Sequence, residues 1–433
     1  MTTLPNFNLR KNVIFSVFAF ACNISLVFLS YRLMIRKSGL EAVGLWSTLF
    51  AWTTMIRMGD AGMSNASLRF IALCDPTKDR ERLRAYLETG LISNIVLFIL
   101  LGTAGYLAIS LNIQNIVSHK FIAEAHRVLP VMMAGFVLMN ISGVLLGSLQ
   151  GLHLGYVNSQ LSIMGNLVQI IAVMALVPLY GVTGLAWSQV IQYSASILAA
   201  WCFVRRQTGV RSFVPSLFSV PVFKEMLGFS LKAQVANIAN GLFEPLSKIL
   251  VGHVGGLQTV GVYELAFKTI SLTRNVVVSA LTATLPAMTT LFSSDREKIQ
   301  NFYVKSVKFN ILGVMSLLTC VLISSPFISI FWIGHLDFQY VIYCALMAGG
   351  FIINSYGAPA YQMGVASGQM KNNIITTALA IALLIGVGGV LGSIFGGTGV
   401  VAAASGTLAV CGFLVKLLNE RMLFGRIARI DAV

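Results

Sequence analysis

Apolar runs of about 20 residues, the length that crosses a bilayer as a helix, alternate along the chain with short polar connections. Six runs fall near Val13 to Met34, Leu45 to Leu73, Leu87 to Leu111, Leu129 to Leu149, Asn158 to Leu179 and Val182 to Val204. Six more fall near Leu227 to His253, Thr259 to Leu291, Phe309 to Ile333, Tyr340 to Met363, Ile374 to Ile394 and Gly399 to Leu418. The second and eighth runs exceed one bilayer crossing, so they are expected to tilt or to continue beyond the lipid. Arg205 to Lys224 is the one long polar connection without its own apolar run, and it separates an N-terminal lobe, 1–215, from a C-terminal lobe, 216–433. The pattern predicts an all-α polytopic membrane protein with about 12 transmembrane helices in two six-helix bundles.

The two halves repeat. Gly39-Leu40-Glu41-Ala42-Val43-Gly44-Leu45-Trp46 returns as Gly256-Leu257-Gln258-Thr259-Val260-Gly261-Val262-Tyr263, with Gly, Leu, Val, Gly and a final aromatic in the same places. The same offset pairs Asn23 with Asn240, Phe50 with Phe267, Arg57 with Arg274 and Ala66 with Ala283, and Gly181-Val182-Thr183-Gly184 is echoed by Gly396-Gly397-Thr398-Gly399. The shared order points to an internal duplication, and the glycines to tight turns entering the second and eighth spans.

Composition fits the pattern: 56% of the 433 residues are hydrophobic and 10% charged, with mean hydropathy +0.81, too little polar surface to cover a water-soluble globule of this size. The net charge of +15 would suggest nucleic acid in a soluble protein. Here its distribution carries the information instead. Of the 30 Lys and Arg, 19 lie in the termini and in alternate connections on their side, 5 lie opposite (Arg32, Arg36, Lys37, Lys120 and Arg127) and 6 lie inside spans. That bias places both termini in the cytoplasm and removes the reason to invoke nucleic acid. Trp46, Trp201 and Trp332 fall at span ends, where interfacial anchoring is expected. Gly388, Gly392 and Gly396 form a ladder suited to close helix packing. The six cysteines are scattered without a close-spaced framework, and the five histidines lie near different loops or span ends, so no disulfide or metal site is expected. No phosphate-binding Gly-rich loop and no catalytic constellation is present, so the chain reads as a non-enzyme without a cofactor.

The candidate chemistry lies in charges inside spans: Arg57, Asp60, Arg69, Lys232, Glu244, Lys248, Glu264, Lys268 and Arg274. A cation facing lipid at mid-depth costs roughly 2.5–3.5 kcal/mol, so most of these must face a wet interior or a partner. Arg57 and Asp60 are spaced i,i+3, while Glu244 and Lys248, and Glu264 and Lys268, are spaced i,i+4; each pair reads either as a local ion pair or as part of a functional cavity. Arg69 and Lys232 lie nearer span ends, where snorkelling is an alternative. Arg57 and Arg274 fall mid-span at equivalent places in the repeat, suited to gripping an anion between lobes through the planar fork of arginine. The candidate cavity cations are therefore Arg57, Arg274, Lys248, Lys268 and Arg69, and the candidates for proton or sodium coupling are Asp60, Glu244 and Glu264. Pro245, inside the seventh run, should free a backbone carbonyl and bend the helix, as a hinge or as a static kink.

Several segments carry a family resemblance: Gly39 to Trp46, Asp60-Ala61-Gly62-Met63, Arg69-Phe70-Ile71-Ala72, Leu149-Gln150-Gly151, Gly181 to Ala186, Val260 to Tyr263, Pro286 and Gly368-Gln369-Met370-Lys371. Together they resemble bacterial polysaccharide-repeat flippases, the Wzx-type O-antigen transporters of the multidrug/oligosaccharidyl-lipid/polysaccharide (MOP) superfamily. The resemblance implies a MATE-like fold in the bacterial inner membrane, with two bundles alternately opening a cavity to cytoplasm and periplasm. The implied cargo is a polyprenyl pyrophosphate-linked oligosaccharide for lipopolysaccharide or a similar surface polymer. The implied partners are membrane lipids, a polysaccharide polymerase and a chain-length regulator. Two alternatives stay open. A multidrug cation antiporter of the same superfamily would usually carry a carboxylate in its first span, and Val13 to Met34 has none; a membrane-embedded polymerase would be expected to carry a large external loop, and Asn112 to Val128 is modest. The lipid II flippase branch usually has fourteen spans against the twelve read here.

Overall fold

A computed structural model describes residues 9–60, 62–74, 79–152, 154–208, 215–282, 284, 288 and 296–423. Ala61, His153, Pro286, Arg426, Arg429, residues 209–214 of the expected linker and parts of the polar loops near 75–78 and 289–295 lie outside them, as do the side chains of Arg10, Lys11, Lys232 and Asn240. Among the described residues every regular element is helical. The chain divides into two compact units, Met1–Ile238 and Ala239–Val433.

The first unit contains α1 (Leu9–Ser38), α2 (Leu40–Ile56), α3 (Met63–Ala72), α4 (Arg80–Leu111), the one-turn α5 (Ile113–Ile116), α6 (Ile122–Gly151), α7 (Gly155–Tyr180), α8 (Val182–Thr208) and most of α9 (Val220–Gly241). The second contains α10 (Phe243–Thr282), α11 (Arg296–Ile333), α12 (Phe338–Ser355), α13 (Ala358–Ala366) and α14 (Lys371–Leu423). Seven stretches of these helices are long and apolar enough to cross a membrane. α2, at 17 residues, falls just short by itself and continues after a break as α3. The 53-residue α14 is two crossings joined at Gly396.

The repeated glycines make the repeated bends. Gly39, between α1 and α2, has φ 81°, ψ 177°, and Gly256, inside α10, has φ 71°, ψ 179°. That region of backbone space is essentially closed to residues with a Cβ. Gly181 and Gly396 share a second left-handed geometry, at φ 57°, ψ −129° and φ 62°, ψ −149°. Three residues after each, Gly184 and Gly399 press on the carbonyl oxygens of Leu176 and Leu391, where an added Cβ would sit 2.3 and 2.0 Å away. The duplication read in the sequence is therefore a duplication of backbone geometry. The ladder glycines follow their expected role in part: Gly392 packs against Val400 and Val254, while Gly388 meets its neighbours at ordinary contact distance.

Four local expectations change. The second span is not continuous, because α2 stops at Ile56, Arg57–Gly59 form a 3-10 turn, and Gly62 takes a left-handed conformation with its N–H bound by Asp60 Oδ1 at 3.0 Å. Pro245 lies in the first turn of α10, just past a break at Leu242, so the chain bends before the proline, whose missing N–H costs nothing so early in a helix. Trp46, Trp201 and Trp332 are buried in protein contacts, at 4–5% exposure, and so are not interfacial anchors; Trp201 belongs to the same buried cluster as Leu145, Leu149 and Tyr86 in the core of the first unit. The polar connection is tied down: Glu88, fully buried near the start of α4, accepts the N–H groups of Ser216 and Leu217 at 2.6 and 2.7 Å, and Thr89 Oγ1 accepts that of Ser219 at 3.1 Å.

The bend geometry makes a stability prediction. Gly256→Ala should lower the melting temperature of the detergent-solubilised protein, at a strain of about 1–3 kcal/mol. Gly386→Ala, in an open helical site with nothing within 4 Å of the new Cβ, should raise it slightly.

Candidate functional site

The bend at Gly256 folds α10 back on itself, and this brings two i,i+4 charge pairs together. Tyr263, on the second arm, donates its hydroxyl to Ser247 Oγ on the first at 2.9 Å, which fixes the arms side by side. Lys248 Nζ then lies 2.6 Å from Glu244 Oε1 on its own arm and 2.7 Å from Glu264 Oε2 on the other. Lys268 Nζ reaches the same Glu244 oxygen at 2.9 Å and Glu264 Oε1 at 4.0 Å. Lys248 and Glu264 are each 2% exposed. An unpaired charge at such depth costs several kcal/mol, so the two lysines and two glutamates are held as one neutral network.

Arg274 stands outside that balance. Six residues beyond Lys268 on the same arm, it makes no ion pair. Its Nη2 donates to Asn354 Oδ1 at 3.0 Å, and its guanidinium carbon lies 5.1 Å from the centre of the Phe351 ring. Asn354 is itself held through Nδ2 by the Leu408 carbonyl at 2.9 Å. These contacts orient the guanidinium without neutralising it, and Nε is buried with no hydrogen-bond partner.

Arg274, Lys268 and Glu244 line a cavity of about 540 Å³ within the C-terminal unit. Asn275, Asn354, Gln362, Thr376 and Thr377 add amides and hydroxyls, and Phe243, Phe267, Phe351 and Tyr361 add aromatic surface. Its charged lining is two cations against one carboxylate. Such a cavity can grip an anion by charge-assisted hydrogen bonds while polar groups bind neutral hydroxyls beside it.

Of the residues singled out from sequence, Glu244, Lys248, Glu264, Lys268 and Arg274 come together here, with Pro245 buried in the same turn as Glu244. Arg57, Asp60 and Arg69 belong to the N-terminal unit and do not line this cavity. Arg57 is exposed on the 3-10 turn, and it forms no ion pair with Asp60 because the chain is no longer α-helical there. Arg69 is exposed in the last turn of α3. The reading from sequence passed over Phe351 and Asn354, which aim Arg274, and Glu88, which pins the linker. Asn354 inside the tenth apolar run and Glu88 at the head of the third were the available signals. Among the described residues no group of three or more His, Cys, Asp or Glu could hold a metal ion.

The family profile described as "Polysaccharide biosynthesis protein" matches residues 9–292, about two thirds of the chain. The chain belongs to that family. The fold is that of MOP-superfamily transporters. An inward-facing multidrug resistance MATE family transporter of that superfamily matches with a TM-score of 0.82 at 16% identity, covering 93% of this chain and 94% of that one. The lipid II flippase MurJ in an inward closed conformation matches with a TM-score of 0.73 at 14% identity, covering 95% and 92%. A MOP superfamily transporter from Pyrococcus furiosus matches with a TM-score of 0.67 at 14% identity, covering 98% and 99%. Among curated proteins no match is found. This member of the polysaccharide biosynthesis family is thus an all-helical, multi-pass membrane protein with a transporter fold.

The buried network predicts its own mutational signature. Lys248→Met leaves two carboxylates around one lysine and should destabilise the protein by about 3–5 kcal/mol, since breaking a buried pair strands a charge. Adding Glu264→Gln restores neutrality and should recover much of the melting temperature in detergent.

Proposed function

We propose that this protein moves a polyprenyl pyrophosphate-linked oligosaccharide, an O-antigen repeat unit or a similar surface-polymer unit, from the cytoplasmic to the periplasmic leaflet of the bacterial inner membrane. Both termini are then cytoplasmic, and the units released outside feed a polysaccharide polymerase and its chain-length regulator. The single observation that carries the reading is Arg274: an oriented, unneutralised guanidinium with a buried unpaired Nε, lining a cavity rich in amides and hydroxyls. It supports a cargo whose anionic group docks on the arginine while sugar hydroxyls meet Asn275, Gln362 and Thr376. Membership of the polysaccharide biosynthesis family points the same way. A cationic drug is a poor fit to a lining in which Lys268 and Arg274 outnumber Glu244.

Alternating access supplies the movement in this proposal. Glu244 is the coupling group that the network favours, because it touches both lysines and also lines the cavity, whereas Glu264 is sealed behind Lys248. Asp60 and Arg69 keep their candidate roles in the N-terminal unit, and Arg57, exposed at the break after α2, is that unit's candidate cation.

Delivery of lipid-linked repeat units to the outer leaflet, at matched expression, tests the reading. Arg274→Gln should reduce delivery by on the order of tenfold to a hundredfold, as expected for losing one charge-assisted hydrogen-bonding group worth about 1.5–3 kcal/mol. Arg274→Lys should recover only part, since an ammonium lacks the fork. Arg57→Gln should reduce delivery less. Full delivery by Arg274→Gln would remove this arginine from the mechanism.

A further inference from the structure

The N-terminal unit holds a second charged recess, at the end where α1 finishes, α6 starts and α7 turns into α8. It encloses about 370 Å³ and is lined by Lys37, Ser38, Arg127, Leu179, Tyr180 and Thr183. The recess is built by the fold: at Gly181, with φ 57°, an added Cβ would lie 2.6 Å from Ser38 Oγ, so the α7–α8 turn rests directly on the last residue of α1. The cations are not required by that turn. In the second repeat, whose Gly396 makes the same kind of bend, the residues equivalent to Lys37 and Ser38 are Val254 and Gly255.

The charges also run against the distribution along the chain. Only Arg32, Arg36, Lys37, Lys120 and Arg127 lie on the sparsely basic side, opposite the termini. Lys120 is accounted for by an ion pair with Glu41 at 2.8 Å. Lys37 and Arg127 both open into the recess, and the carboxylate acting on Arg127 is that of Glu124, one turn earlier on α6. Two cations against the single nearby carboxylate of Glu124 leave the recess net positive, on the side where basic residues are otherwise few.

An apolar track leads to the same place. Leu167, Ile171 and Met174 share one exposed side of α7, with Ile171 69% exposed, and at the end of that helix the exposed Leu179 and Tyr180 form the rim of the recess. A stripe of this kind on a membrane helix is a surface for acyl chains, and a cationic recess at its end lies at headgroup level.

We propose that this recess binds the phosphate headgroup of an anionic membrane lipid, with its acyl chains along the α7 track. Lys37 and Arg127 neutralise the phosphodiester, and Ser38, Tyr180 and Thr183 supply hydroxyls to its oxygens. The site is separate from the Arg274 cavity, which lies in the other unit.

Native mass spectrometry of the full-length protein, taken from vesicles of phosphatidylcholine with and without phosphatidylglycerol, tests this. Wild type should keep phosphatidylglycerol in preference to phosphatidylcholine. The double variant Lys37→Gln/Arg127→Gln should lose that preference by on the order of tenfold, from two cations each contributing near a charged headgroup. The charge-preserving Lys37→Arg/Arg127→Lys should keep it, as should Lys120→Gln on the same side. Unchanged phosphatidylglycerol retention in the Gln double variant would overturn the proposal. So would protection of lipid-free protein by inorganic pyrophosphate as large as that given by phosphatidylglycerol, which would assign the recess to a free anion.

Discussion

A charge buried among membrane helices must be neutralised or used. In the C-terminal unit five ionised groups lie on one folded-back helix, and four of them cancel: Lys248 between Glu244 and Glu264, with Lys268 sharing the Glu244 oxygen. The fifth, Arg274, is aimed by Asn354 and Phe351 but left without a counter-ion. That imbalance leaves one cation without a carboxylate on the cavity wall. The network gives the bent helix a unique register, because sliding one arm past the other would separate Lys248 from Glu264, both sealed from solvent. With the arms fixed, the arginine has one place to point.

The two repeats share a frame and differ in chemistry. Gly39 and Gly256 bend the chain in nearly the same conformation, as do Gly181 and Gly396. Where the second repeat has Glu244, Lys248, Glu264 and Lys268, the first has Val27, Tyr31, Ser47 and Ala51. Where the first has Lys37 and Ser38, the second has Val254 and Gly255. Backbone geometry is retained because every later helix packs against it, whereas side chains facing a cavity can diverge without disturbing the bends. An internally duplicated membrane protein can in this way have one lobe with a charged interior and another with a charged rim.

The difference between Arg57 and Arg274 follows from the same point. Their sequence positions match, yet α10 continues to Thr282 while α2 ends at Ile56. The cause is local: Gly59 and Gly62 flank Asp60, whose carboxylate caps the Gly62 N–H and stabilises the break. Arg57 is thereby on an exposed turn, and Arg274 is inside a helix bundle beside an aromatic ring.

Sequence alone determined the membrane environment, the helical class, the duplication and the pairing of Glu244 with Lys248, because each depends on short-range periodicity, composition or spacing within one helix. The four bend glycines were legible for the same reason, since a left-handed backbone position is a local demand. Tertiary structure decided which charges are spent and which remain. Whether Lys248 answers Glu264, whether Asn354 reaches Arg274, whether Glu88 holds the linker, and whether Trp201 faces lipid or protein are contacts across helices, separated by 16 to 129 positions where hydrogen bonds record them. Burial is set by which face another helix covers, and no spacing rule within a single apolar run contains that information.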